Sequence, residues 1–160
     1  MPKVAVIMGS DSDYDVVKKG IGILKKFDVE YDIRIISAHR TPDAAHEFAS
    51  KAYENGYEVI IAAAGKAAHL GGVLAAYTPL PVIGIPIKTS MMGGLDSLLS
   101  IVQMPKGVPV ATVAVDGSEN AALLAIQMMG LKYPELMQKM VDYKEQMKEE
   151  VQAKDRNFVE

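Results

Sequence analysis

Short apolar runs alternate along this chain with longer stretches in which apolar residues recur at helical spacing. The runs at 4–8, 31–36, 59–64, 82–86 and 110–115 predict strands. The stretches at about 13–27, 42–55, 68–77, 94–103, 119–129 and 134–153 predict helices. Runs such as "VIIAAA" are apolar on both faces, which suits parallel strands covered by helices on either side. Right-handed crossovers then give a doubly wound parallel sheet in three α/β/α layers. Five strands favour the flavodoxin-like order 2-1-3-4-5, with a ligand crevice at the carboxyl ends of strands 1 and 3.

The last helix is extra to that scheme. Leu136, Met140, Tyr143, Met147 and Val151 form an apolar stripe opposite a heavily charged face. The stripe serves either to cover the protein's own body or to dock on a neighbouring subunit, for which adaptable methionines are well suited. The expected organisation is one domain over 1–160, with 133–155 a C-terminal helix contacting a neighbouring subunit.

Composition narrows the possible chemistry. Of 160 residues, 49% are hydrophobic and 23% charged, as in an ordinary globular domain. A net charge of −3 gives no electrostatic reason to expect nucleic acid or an anionic membrane as partner. With no cysteine, a disulfide framework, a Cys-ligated metal and a thiol nucleophile are excluded. The N-terminal apolar run is too brief for a signal sequence, and no run approaches the roughly 18 residues needed to span a bilayer. A cytoplasmic protein is expected.

The polar chemistry gathers just after strands 1, 2 and 3, whose ends are neighbours in the expected order. After strand 1 comes "GSDSD", Gly9 to Asp13. Ser10 and Asp13 have the spacing of a helix capping box, yet the same turn could hold a phosphate or sugar on backbone N–H groups and serine hydroxyls. After strand 2 comes "SAHRTP". Thr41 suits an N-cap and Pro42 the first helical position, but Arg40 faces the positive end of the helix dipole, so an anion is expected beside it. After strand 3 comes "GKAAHLGG", which is neither a Walker loop nor a dinucleotide fingerprint. It is a small-residue turn, fit either for tight helix–sheet packing or for close approach of a flat ligand.

Three histidines occur. His46 lies within a predicted helix, whereas His39 and His69 lie on the rim loops, without the spacing of a zinc site. A histidine titrates near neutral pH and can give and take a proton in one turnover, which makes His39 the candidate acid–base. A phosphorylatable receiver domain is ruled out, because "AAAGK" offers no carboxylate at the end of strand 3. A flavin carrier finds no aromatic side chain in these loops for stacking.

Taken together, "MGSDSD", "SAHRTP", "AGKAAHL" and "LDSLLSIVQMP" resemble the N5-carboxyaminoimidazole ribonucleotide mutases of de novo purine biosynthesis, the catalytic family of AIR carboxylases. The resemblance covers almost the whole chain. The CO2-dependent carboxylase branch reads "SAHKT" and lacks the second histidine, so Arg40, Pro42 and His69 resemble the mutase branch. The resemblance implies an isomerase without metal or cofactor. It moves a carboxyl group from the exocyclic nitrogen of aminoimidazole ribonucleotide to ring carbon C4, through enclosed CO2. It implies catalysis by His39, with Ser10, Ser12, Asp13 and Arg40 on the ribose phosphate and Ser37 and His69 around the imidazole. Gly65, Lys66, Ala67 and Leu70 complete the substrate-binding set, and Ala64, Ala67 and Leu70 are candidates for a small apolar CO2 pocket. A homo-octamer is also implied. The chain departs from the family pattern "GAGGAAHLPG" at Ala63 and Lys66, which replace glycines, and at Gly71, which replaces a proline. Lys66 adds a cation to the rim, either to meet the substrate carboxylate or, by like-charge repulsion, to favour neutral His39. The CO2-dependent carboxylase and a non-catalytic ribonucleotide-phosphate binder are the alternatives.

Overall fold

A computed structural model describes residues 1–159. The strands are β1 (Lys3–Met8), β2 (Glu30–Ile35), β3 (Val59–Ala64), β4 (Val82–Pro86) and β5 (Ala111–Thr112). The helices are α1 (Tyr14–Lys26), α2 (Pro42–Lys51), α3 (Leu70–Tyr77), α4 (Leu95–Val102), α5 (Ser118–Gly130) and α6 (Pro134–Asn157). All strand pairs are parallel, in the order β2-β1-β3-β4-β5. This is the flavodoxin-like three-layer order expected from the pattern.

Period-two alternation divides the core between the two faces of the sheet. Val4, Val6, Ile61 and Ile85 pack with α1, α5 and the start of α6, while Ala5, Ile7, Ile60 and Val82 pack with α2, α3 and Ile101 of α4. Each fully buried Ile or Val contributes about 1.5–3 kcal/mol. β2 lies at the edge, and Ile33 and Ile35 on it are exposed.

Two predicted elements are shorter than the pattern suggested. The helix expected over 42–55 ends at Lys51. Gly56 has a φ of 82°, and the Tyr57 N–H returns to the Ala52 carbonyl, which closes the chain in a left-handed stop. The strand expected over 110–115 pairs only at Ala111–Thr112. Pro86 on β4 has no N–H to extend the ladder, and the chain leaves β4 through single bonds from Val113 N–H to Gly84 and Asp116 N–H to Pro86.

α1 and α5 approach closely at Gly20, where a Cβ would run into the Ser118 carbonyl oxygen. The buried Ser118 hydroxyl is inserted into the α1 hydrogen-bond ladder. It donates to the Val16 carbonyl at 2.6 Å and accepts from the Gly20 N–H at 3.2 Å.

α6 answers the question raised by its stripe in two halves. Leu136 and Met140 are buried against the protein's own body, and Tyr143 packs edge-on against Phe27 at 5.6 Å. Beyond them Met147 and Val151 are exposed. The start of α6 is tied to β3, since Glu58 accepts from Lys132 Nζ at 2.7 Å and from the Tyr133 hydroxyl at 2.6 Å. The Glu58 carboxylate first, and the neighbouring Tyr133 hydroxyl second, push the Lys132 ammonium up to about 12. Among the described residues no helix is long and apolar enough to cross a membrane.

Candidate active site

The loops leaving β1, β2, β3 and β4 meet over the carboxyl edge of the sheet and enclose a cavity of about 680 Å³. Every candidate residue of the sequence reading lines it: Ser10, Ser12 and Asp13 from the first loop; Ser37, His39 and Arg40 from the second; Gly65, Lys66, Ala67, His69 and Leu70 from the third. His46 is elsewhere, stacked on Tyr77 between α2 and α3.

The first loop is a single 3-10 turn, Asp11–Asp13, leading into α1. Ser10 caps it, its Oγ accepting from the Ser12 N–H at 3.3 Å and from the Ser12 hydroxyl at 2.9 Å. The Asp13 carboxyl makes one half of a capping box by accepting from the Ser10 backbone N–H, while the Asp13 N–H goes to the Ser10 carbonyl at 3.2 Å rather than to its hydroxyl. Burial pushes the Asp13 carboxyl above its ordinary value; that N–H opposes the shift, and Asp116 and Asp11 add to it.

The second loop folds back on itself. Thr41 is not the side-chain cap expected of it. Its hydroxyl donates to the Ser37 carbonyl at 3.0 Å and accepts from the Ser37 N–H at 2.9 Å, because this tight turn already brings residues 37 and 41 together. Ser37 in turn tethers Arg40: its Oγ accepts from the backbone N–H at 3.1 Å and from Nε at 3.4 Å. Among the described residues, Arg40 has no carboxylate within ion-pair distance.

The third loop brings His69 to His39. His39 Nε2 stands 2.8 Å from His69 Nδ1, with the rings edge-on at 70°. One nitrogen of the pair carries the proton and the other accepts it. The loop itself is anchored from α4. Ser97, fully buried, accepts from the Lys66 N–H at 2.9 Å and donates to the Ile87 carbonyl at 2.8 Å. Lys66 has a φ of 56°, the left-handed region, where any side chain costs about 1–2 kcal/mol relative to its usual conformation.

The sequence reading did not assign the fourth loop or the α4 residues behind it to the site. Ile87, Lys88 and Thr89 line the cavity, and the Thr89 hydroxyl donates to Asp96 at 2.6 Å. That bond, above all, holds the Asp96 carboxyl below its ordinary value, with a smaller contribution from Lys66. The available signal was position, since residues 87–89 directly follow β4.

The cavity therefore has three cationic side chains, Arg40, Lys66 and Lys88, against one lining carboxylate, Asp13, in a chain whose net charge is −3. Serine hydroxyls and Arg40 form one end, and a histidine pair stands beside it. These features define a class: a doubly wound α/β protein with a cation-rich crevice and a contacting pair of imidazoles at the carboxyl edge of its sheet.

The comparisons sharpen the class. A family model described as AIR carboxylase matches residues 3–150. The N5-carboxyaminoimidazole ribonucleotide mutase of Pyrococcus abyssi is 60% identical over 148 residues, covering 92% of this chain and 85% of the relative. The mutase of Thermotoga maritima is 58% identical over 154 residues, covering 96% and 90%. The crystal structure of Treponema denticola PurE superposes with a TM-score of 0.90 at 30% identity, covering 100% of both chains. The chain belongs to the AIR carboxylase family.

Proposed function

We infer that this protein interconverts N5-carboxyaminoimidazole ribonucleotide and 4-carboxy-5-aminoimidazole ribonucleotide in purine biosynthesis, as an isomerase. The relatives just described carry the mutase name at 58–60% identity over nearly the full chain. The observation that carries the chemistry is the 2.8 Å contact between His39 and His69 in a cavity with surplus positive charge.

The ribose phosphate sits against Ser10, Ser12 and Arg40, with Asp13 accepting from ribose hydroxyls. A phosphate there resolves the awkward position of Arg40 near a helix entrance, since it meets both the guanidinium and the helix N–H groups. Ser37 holds Arg40 in place while facing the imidazole. His39, protonated, gives its proton to the exocyclic nitrogen as the N–C bond of the carbamate breaks, and CO2 is released. The electron-rich C4 attacks CO2 and forms the new C–C bond. His39 then takes the C4 proton, which restores the aromatic ring and resets the histidine. His69 orients the His39 ring through the bond between them.

CO2 carries no charge and would escape through water. Buried Ala64 and Leu70, with Ala67 and Gly65, give it a small apolar wall. The scheme calls for no metal or cofactor. We propose further that the chain is a single cytoplasmic catalytic domain over 1–160, that its 133–155 segment meets a neighbouring subunit, and that the assembly is a homo-octamer.

The test uses substrate labelled with carbon-13 in the carbamate, in unlabelled bicarbonate. Label retained in the C4-carboxylated product supports the mutase, and label diluted by the pool would instead mean a carboxylase using dissolved CO2. His39→Asn should lower turnover about 10²–10⁴-fold with nucleotide affinity preserved. A protein with no turnover to lose would leave only a binding role.

A further inference from the structure

The cavity has a second positive end that the phosphate does not use. Arg40 lies on the loop that leaves β2, with Ser10 and Ser12 on the loop after β1. Lys66 stands at the end of β3, in the loop that bears His69. β2 and β3 flank β1, so the strand ends from which these two loops leave are about 10 Å apart, across two strand spacings. That span is commensurate with a ribose and one five-membered ring. A carboxylated ribonucleotide has one anion at each end of such a span.

Lys66 is also held in an unfavourable conformation. Its φ of 56° is one that glycine adopts freely, and the family pattern has glycine there. The backbone is fixed whatever the side chain, because the N–H goes to Ser97 and the carbonyl accepts from the Ala68 N–H at 2.9 Å. A lysine in this place thus adds nothing to the loop except its ammonium. Among the described residues that ammonium has no carboxylate within ion-pair distance. Asp96, the nearby carboxylate that feels this charge, is itself bonded to the Thr89 hydroxyl and the Ser97 N–H.

We propose that Lys66 binds the migrating carboxylate, so that this chain discriminates carboxylated from uncarboxylated nucleotide by a side-chain charge. The proposal rests on the mutase reading. The ammonium holds the carbamate before the N–C bond breaks and the C4 carboxylate after the C–C bond forms. In both bound states it biases the one-carbon unit toward the β3 loop, beside the apolar wall. Free CO2 carries no charge, so the lysine acts on the two carboxylated states that bracket it.

The test compares the wild type with Lys66→Gly and Lys66→Arg. Glycine suits the left-handed backbone, so loss of fold does not confuse the result. Calorimetry would measure affinity for 4-carboxy-5-aminoimidazole ribonucleotide and for 5-aminoimidazole ribonucleotide, which lacks the carboxylate. Lys66→Gly should weaken the first about tenfold or more and leave the second unchanged, and Lys66→Arg should restore most of the difference. Equal weakening of both nucleotides, or of neither, overturns the assignment. Wild-type protein with no turnover would remove the mutase reading. The affinity ratio still judges the lysine, so the two failures are distinguishable.

Discussion

At the scale of single residues, Arg40 is the clearest case of a side chain that the fold does not use and the proposed phosphate would. Its guanidinium is tethered by Ser37 and exposed, with no carboxylate beside it among the described residues. Arg40→Ala should therefore leave the unfolding midpoint within the range of a surface change and weaken nucleotide binding about 10- to 100-fold, read by calorimetry. Loss of turnover at unchanged affinity would instead move Arg40 from the phosphate to the reacting end. Arg40 was legible in the sequence because a cation at a helix entrance breaks a local rule. The pairing of His39 with His69 was not. The two histidines are 30 residues apart on different loops, and only the strand order brings them within 2.8 Å. Nor could spacing show that Lys66 sits at positive φ, which is a property of the turn it occupies.

At the scale of elements, α4 supports the site without supplying its chemistry. Ser97 is fully buried and holds two loops at once, through the Lys66 N–H and the Ile87 carbonyl. Ser97→Ala would leave both backbone groups without that partner, and each costs about 1–3 kcal/mol when buried and unsatisfied. The expected outcome is a loss of that order in urea unfolding, with weaker nucleotide binding because the His69 loop is released. Unchanged stability and binding would mean that other contacts hold the loops. The sequence quotes "LDSLLSIVQMP" as a motif, yet a serine on an apolar helix face gives no sign of which carbonyl it will meet. The strand ladder was more legible, since continuous apolar runs are dictated by burial on both faces. The shortened β5 was not, because the missing donor of Pro86 lies on the neighbouring strand.

At the scale of the whole molecule, α6 divides its apolar stripe into a buried half and an exposed half. Leu136 and Met140 seal the body, whereas Met147 and Val151 face outward on a helix that runs on to Asn157. Replacing both with glutamate should give a smaller assembly by light scattering, with unchanged far-ultraviolet circular dichroism. An assembly of unchanged mass would mean that subunit contacts lie elsewhere. The periodicity of the stripe predicted an apolar face but not its division. That depends on where the body ends beneath the helix.

The Ser118 hydroxyl inside the α1 ladder has a mechanical consequence. A helix held only by an apolar face can slide along its axis, and one turn of slip would be about 5.4 Å. Ser118 works as a dowel: its bonds to Val16 and Gly20 are made at one depth of α1 and at no other. α1 starts directly after Asp13, so the depth of that dowel also indexes Ser10 and Ser12 along the crevice. The Ser10 and Ser12 end of the cavity thus takes its position from the Ser118 hydroxyl, far along the chain on a helix that contributes nothing to the cavity wall.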